Sequence, residues 1–203
     1  MPFDFLKRKK DEPAAAEPAP APAAAPHGRG IVFDAVTEEW RLNGRMDVDG
    51  RLSDVLNKRE SVPIDAVHWA PVDGSGPMTE APGLRAIDPY DLILVLAGET
   101  SLPPMTDEER TAHRIHKVRY DLALEAPPYR VVGTVYLFAG TDPSRLLDRS
   151  GDMFIPVVDA RAFIGETLIE GGAVSVILLN RFYLRGVEQI DSRTSERSEP
   201  LPG

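Results

Sequence analysis

The chain has 203 residues, a formal net charge of −9 and no cysteine. That length suits one sizeable core or two small ones, and the lack of cysteine excludes disulfides, a thiolate nucleophile and cysteine-based zinc sites. An acidic body repels phosphate backbones, so nucleic acid is not an expected partner, and no apolar run nears the roughly 20 residues of a membrane-spanning helix.

The N-terminal residues 1–30 read as a basic peptide on a tether. Phe3, Phe5 and Leu6 precede Lys7, Arg8, Lys9 and Lys10, and an Ala/Pro-rich stretch follows. Such a composition favours extended, semi-rigid backbone and cannot build a core. The peptide Phe3, Phe5, Leu6, Lys7 and Arg8 is therefore a candidate docking element for another protein, and any membrane contact would be confined to it. Its charges follow its apolar residues, unlike a secretory leader, which points to the cytoplasm.

A first β-unit is expected over residues 31–104. Trp40, Leu42, Gly44, Met46 and Val48 alternate with Arg41, Asn43, Arg45 and Asp47, the period of a strand with one buried face. Leu52, Val55 and Leu56 have helical spacing, with Ser53 or Asp54 as the expected cap. Strands follow over residues 61–71 and 90–98, separated by a Gly/Pro-rich loop over 72–88. Residues 105–116 are polar and helix-favouring, a helical connector. A second β-unit spans 117–191, with Tyr129, Val131, Gly133, Val135 and Leu137 on its buried face and Asp142-Pro143 starting a short helix. Residues 192–203 form a polar, disordered tail.

The two units look like one motif written twice. Trp40–Val48, Asp54–Asn57 and Val62–Ile64 are echoed by Tyr129–Leu137, Arg145–Asp148 and Ile155–Val157, and Phe33-Asp34 by Tyr120-Asp121. Gly44 and Gly133 fall on the apolar face of their strands, where a missing side chain signals a bulge or close packing. The expected fold is mainly β (α+β): two related small sheets or partly open barrels, each with a short helix.

The copies differ on their outer faces. Where the first is polar, the second carries Val132, Tyr136 and Phe138. A strand apolar on both faces needs cover on both, from the rest of the chain or from another protein. These three residues are the candidate interaction surface of the body.

No catalytic constellation assembles. Glu109, His113 and His116 share helical spacing but lie among Arg110, Arg114 and Lys117, which oppose a cation. His68 has neither nucleophile nor orienting acid beside it and reads as a hydrogen-bonded structural residue. Asp47, Asp49, Asp54 and Asp65 do not have EF-hand spacing, because position 58 is a lysine. The clusters Gly74-Ser75-Gly76 and Gly171-Gly172 lack the companions of a phosphate loop or dinucleotide fingerprint. The chain is read as non-catalytic, with no cofactor and no metal.

The string Arg41-Leu42-Asn43-Gly44, Arg51-Leu52-Ser53-Asp54-Val55-Leu56-Asn57 and Val62-Pro63-Ile64 resembles small uncharacterised bacterial domains with an R-x-x-G…R-L-S-D-x-L-N core. The resemblance covers residues 31–100 and, more loosely, 117–190, where half the signature is lost. It implies architecture and no established activity. The leading expectation is an interaction or scaffold protein with tandem β-domains. The alternative is a sensing module for a small anionic ligand between the copies, contacted by Arg41 and Arg130.

Overall fold

The computed structural model of the protein describes residues 30–48, 50–97 and 117–190. The predicted connector over 105–116, the tail over 192–203 and the docking peptide lie outside the described residues, as do Glu109, His113, His116 and Asp49.

The first half contains β1 (Ile31–Val36), β2 (Trp40–Met46), helix α1 (Leu52–Asn57), β3 (Val62–Pro71), the two-residue strands β4 (Thr79–Glu80) and β5 (Ala86–Ile87), a 3-10 turn Pro89–Asp91 and β6 (Leu94–Ala97). The second contains β7 (Lys117–Ala126), β8 (Tyr129–Phe138), a 3-10 turn Pro143–Leu147, β9 (Phe154–Ile164), β10 (Thr167–Asn180), a 3-10 turn Arg181–Tyr183 and β11 (Gly186–Gln189). The mainly β class expected from the sequence is correct. The division into two separate sheets is not what the structure has. A single antiparallel sheet runs β11-β7-β8-β9-β10-β6-β1-β2-β3-β4, with β5 also on β3. Its continuity comes from β6 of the first half pairing with β10 of the second, from Val176↔Ala97 to Leu179↔Leu94.

The cores lie on opposite faces of this sheet. Val95, Ala97, Val176 and Leu178 point into the first core, with Phe33, Leu42, Met46, Leu52 and Leu56. Their neighbours Leu94, Leu96, Ile177 and Leu179 point into the second, with Leu122, Leu124, Tyr129, Val131 and Val157. A strand covered on both faces needs apolar residues at every position, not every second one. That is why the apolar runs Leu94–Ala97 and Val176–Leu179 lie in β6 and β10.

Both halves follow one path: β6-β1-β2-β3 in the first, β11-β7-β8-β9 in the second. Each carries a bulge at the expected glycine. The β2–β3 register shifts between Asn43 and Arg45, around Gly44, and the β8–β9 register shifts between Val132 and Thr134, around Gly133. Opposite each glycine stands a non-glycine residue with positive φ, Ala66 at 47° and Asp159 at 49°. The extra residue keeps the inward phase, so Val67 follows Ile64 into the first core and Ala160 follows Val157 into the second. The register also corrects one correspondence drawn from sequence. Phe33 faces Gly44 and Leu122 faces Gly133, so Phe33 corresponds to Leu122 and not to Tyr120.

Three local expectations change. Helix α1 is capped by Arg51 without a side-chain cap, because Ser53 and Asp54 already lie inside its first turn, behind the anchoring Leu52. Trp40 is partly exposed and stacks on Trp69 at 5.0 Å, since it opens β2 at the edge of the core. The loop over 72–88 contains β4 and β5, which pair with β3. Asp142 does cap its turn, accepting from the Ser144 amide at 2.8 Å, with Pro143 at the first position.

Tyr129 ties the start of β8 to the first half by donating its hydroxyl to the Thr37 carbonyl at 2.8 Å. Burial pushes this phenol well above its usual range. The neutral form is thus favoured in the native state, and its contribution is intact below about pH 10 and lost as pH rises. Tyr129→Phe should cost about 1 kcal/mol near neutral pH. In urea titrations the wild-type advantage should narrow toward about pH 11, where only the wild type has this phenol to ionise on unfolding. A constant difference across that range would refute the assignment.

Candidate binding cleft

The halves part company after the bulge. In the first half the β2–β3 ladder continues through Arg45↔Asp65 and Met46↔Ile64, and the Asp47 amide then donates to Pro63 at 3.1 Å. In the second half the β8–β9 ladder ends at Thr134↔Val158, while β8 runs on to Phe138 against β7. The β7–β8 hairpin thereby extends three pairs beyond Tyr120↔Val135, the counterpart of Ile31↔Met46. Strand β9, meanwhile, stays on β10 from Val157↔Ile177 back to Phe154↔Asn180. Two strands held on their far sides and, among the described residues, not laddered on their near sides form a fork.

What fills this place differs between the halves. Leu52 and Leu56 of α1 are both buried in the first core. The corresponding 3-10 turn buries only Leu146 and leaves Leu147 exposed. Beside it lies a cleft of about 530 Å³ lined by Val135, Tyr136, Leu137, Phe138, Ile155 and Pro156, among others. This volume is within the roughly 300–1,000 Å³ range of ligand pockets. Phe138 is 64% exposed.

Charge at the cleft runs against that of the chain. Arg51, Lys117 and Arg181 line it, opposed by Asp152. The Lys117 ammonium lies 5.6 Å from the Phe138 ring centre. Arg181 is set by its 3-10 turn: its backbone amide donates to the Met153 carbonyl at 2.7 Å and its Nη1 to the Asp148 carbonyl at 2.8 Å. Its guanidinium packs on Gly151, where a Cβ would come within 2.8 Å of Nη1. Its Nε is buried and has no acceptor among the described residues. Burial holds this guanidinium below its usual range, against the opposing influence of Asp152 and Asp148.

Of the three apolar residues singled out in sequence, Tyr136 and Phe138 line the cleft and Val132 does not. Thr134 separates them, buried and donating to Asp121 Oδ1 at 2.7 Å. Val132 instead borders a polar hollow with Arg119, Asp121, Asp159 and Arg161. Arg41 and Arg130 do not converge. Arg41 donates from Nε and Nη2 to both oxygens of Asp34, at 3.0 and 2.6 Å, while Arg130 pairs with Glu125 at 3.0 Å. Arg41 lines a separate cavity of about 650 Å³ between the halves, with Val72, Met78, Ile164 and Leu168, and Arg130 is not part of that lining.

The residues of the R-x-x-G…R-L-S-D-x-L-N string have structural surroundings. Gly44 sits in the bulge, Leu52 and Leu56 fill the core, and Asn57 Oδ1 accepts from the Phe154 amide at 2.7 Å, joining α1 to β9. His68 Nδ1 lies 3.2 Å from the Ala66 carbonyl. Among the described residues no three His, Asp or Glu side chains gather to hold a metal, and no helix is long and apolar enough to cross a membrane. Sequence reasoning missed Arg51, Lys117, Asp152 and Arg181, which come from four separate segments. The one signal available was the shift from Leu52/Leu56 spacing to a single inward leucine at 146.

Comparison with protein-family models, with curated proteins and with solved structures finds no match to this chain.

Proposed function

We propose that this chain is a non-catalytic interaction or scaffold protein, built from one β-unit used twice, whose body binds a partner protein through the second half. The observation that carries this reading is the open fork between β8 and β9, lined by apolar residues and by Arg51, Lys117 and Arg181 against Asp152, in a chain of net charge −9. The first half supports it by contrast: there the β2–β3 ladder continues to Met46↔Ile64 and Leu52 and Leu56 of α1 are buried in the core. The relation to the R-x-x-G…R-L-S-D-x-L-N domains and a cytoplasmic setting belong to the same proposal. So does the role of residues 1–30 as a tethered second contact, which raises effective concentration without adding a rigid surface.

A photo-crosslinking residue placed at Phe138, with Trp69 as the control position, tests this in lysate of the native cell. The expected result is one protein recovered from position 138, absent from position 69, lost in a Tyr136→Asp background and depleted when residues 1–30 are deleted. Equal recovery from both positions, or recovery indifferent to Tyr136→Asp, would overturn it.

A further inference from the structure

We propose that the fork recognises an extended, acidic-apolar peptide of a partner protein, taken up as an added strand along the free edge of β8. This rests on the interaction reading above and specifies its chemistry.

Val135–Phe138 are held on one side by β7, from Tyr120↔Val135 to Lys117↔Phe138, and no ladder joins their other side to β9; the Phe138 carbonyl accepts from the Thr141 amide at 3.0 Å, so the open edge ends at the Phe138 amide. Strand backbone left unpaired is a template for another strand. The facing stretch of β9 is a poorer template. Pro156 has no amide hydrogen, and the Phe154 amide is already bonded to Asn57 Oδ1. Strand addition therefore favours β8.

Side chains specify what the strand carries. Val135, Leu137, Leu146 and Ile155 offer an apolar seat, and Tyr136 and Phe138 an aromatic wall. One aliphatic or aromatic residue of the incoming peptide would occupy this seat. Arg51, Lys117 and Arg181 outnumber Asp152, so carboxylates flanking that residue are favoured. These cations also disfavour the chain's own N-terminal peptide, whose Lys7, Arg8, Lys9 and Lys10 repeat the charge of the cleft.

Selection of a random display library, with peptides of about twelve residues, on the full-length chain tests this directly. Selected peptides should carry Leu, Ile or Phe with Asp or Glu within two positions. Synthetic versions should lose about tenfold or more in affinity for an Arg51→Glu/Lys117→Glu variant, whose fold is checked by its melting temperature. They should also weaken as salt rises from about 50 to about 500 mM. N-methylation of alternate peptide amides should abolish binding, while methylation of the intervening ones should not. Basic or patternless selections, binding unchanged in the double variant, or indifference to the position of N-methylation would each overturn the proposal. A thermal shift with decanoate and with no selected peptide would assign the cleft to a small amphiphile and overturn it too. If the Phe138 crosslink identifies a partner while acidic peptides are not selected, this chemistry fails and the interaction reading stands. If the crosslink also fails, both fall.

Discussion

Gly133→Ala is expected to destabilise the protein by about 3 kcal/mol, because overpacking against backbone has no rotamer that relieves it. A Cβ at this position would lie 2.8 Å from Val157 Cγ1, 2.9 Å from the Val158 carbonyl oxygen and 3.1 Å from Ala160 Cα. The valine methyl could turn aside, but the carbonyl and the Cα belong to the neighbouring strand of the bulge. Relief would require that strand to move and the register beyond it to change. The corresponding Gly44→Ala should cost less. Its contacts are the Asp65 carbonyl at 2.9 Å, Phe33 Cε1 at 3.2 Å and Val67 Cα at 3.3 Å, so two of the three are looser and one is a ring edge. Gly83→Ala, with nothing within 4 Å, serves as the control and should be close to neutral. Denaturant midpoints for the three variants give the order. Gly133→Ala as stable as Gly83→Ala would mean that the bulge is not the tight crossing described.

Asn180→Ala is expected to cost a similar amount, about 3 kcal/mol, through unsatisfied buried groups. Asn180 is fully buried where β10 leaves the junction between the halves. Its Nδ2 donates to the carbonyls of Leu92 and Pro89, at 2.7 and 3.3 Å, and its Oδ1 accepts from the Phe182 amide at 3.0 Å. Truncation leaves the two buried carbonyls and the part-buried Phe182 amide without this partner. Asn180→Asp keeps the acceptor, loses both donations and sets a carboxylate against two carbonyl oxygens, so it should be at least as damaging. Asp88 caps the matching turn of the first half, accepting from the Tyr90 amide at 2.9 Å, but it is exposed. Asp88→Ala should therefore cost only about 1 kcal/mol, the ordinary value of a lost cap. If the two alanine variants lose equal stability, burial is not what gives Asn180 its weight.

The bulges and the buried faces were legible because they are local. Gly44 and Gly133 interrupt an apolar alternation, and a glycine there leaves few alternatives to close backbone approach. Tyr129, Val131, Val135 and Leu137 read correctly as core-facing for the same reason: period two binds each residue to a face. The expected capping by Ser53 or Asp54 failed because residue type marks a helix start only to within a residue or two. Here the anchoring of Leu52 in the core decided the start. The candidate surface was half legible. Tyr136 and Phe138 stood out as apolar residues on an outer face, but nothing local to Val132 showed that the Thr134–Asp121 pair would separate it from them.

By itself, then, the sequence determined a mainly β chain, the two glycines at which its strands bulge, and the inward faces of its alternating strands. These are properties of neighbours along the chain, where side-chain period and backbone freedom act directly. Only the tertiary structure decided that β6 would pair with β10 and merge the halves into one sheet with a core on either face. Only it brought Arg51, Lys117 and Arg181 to one opening. Both outcomes depend on contacts between distant segments, whose free energy is set by burial and charge in the assembled sheet and leaves no periodic trace in any one stretch of sequence.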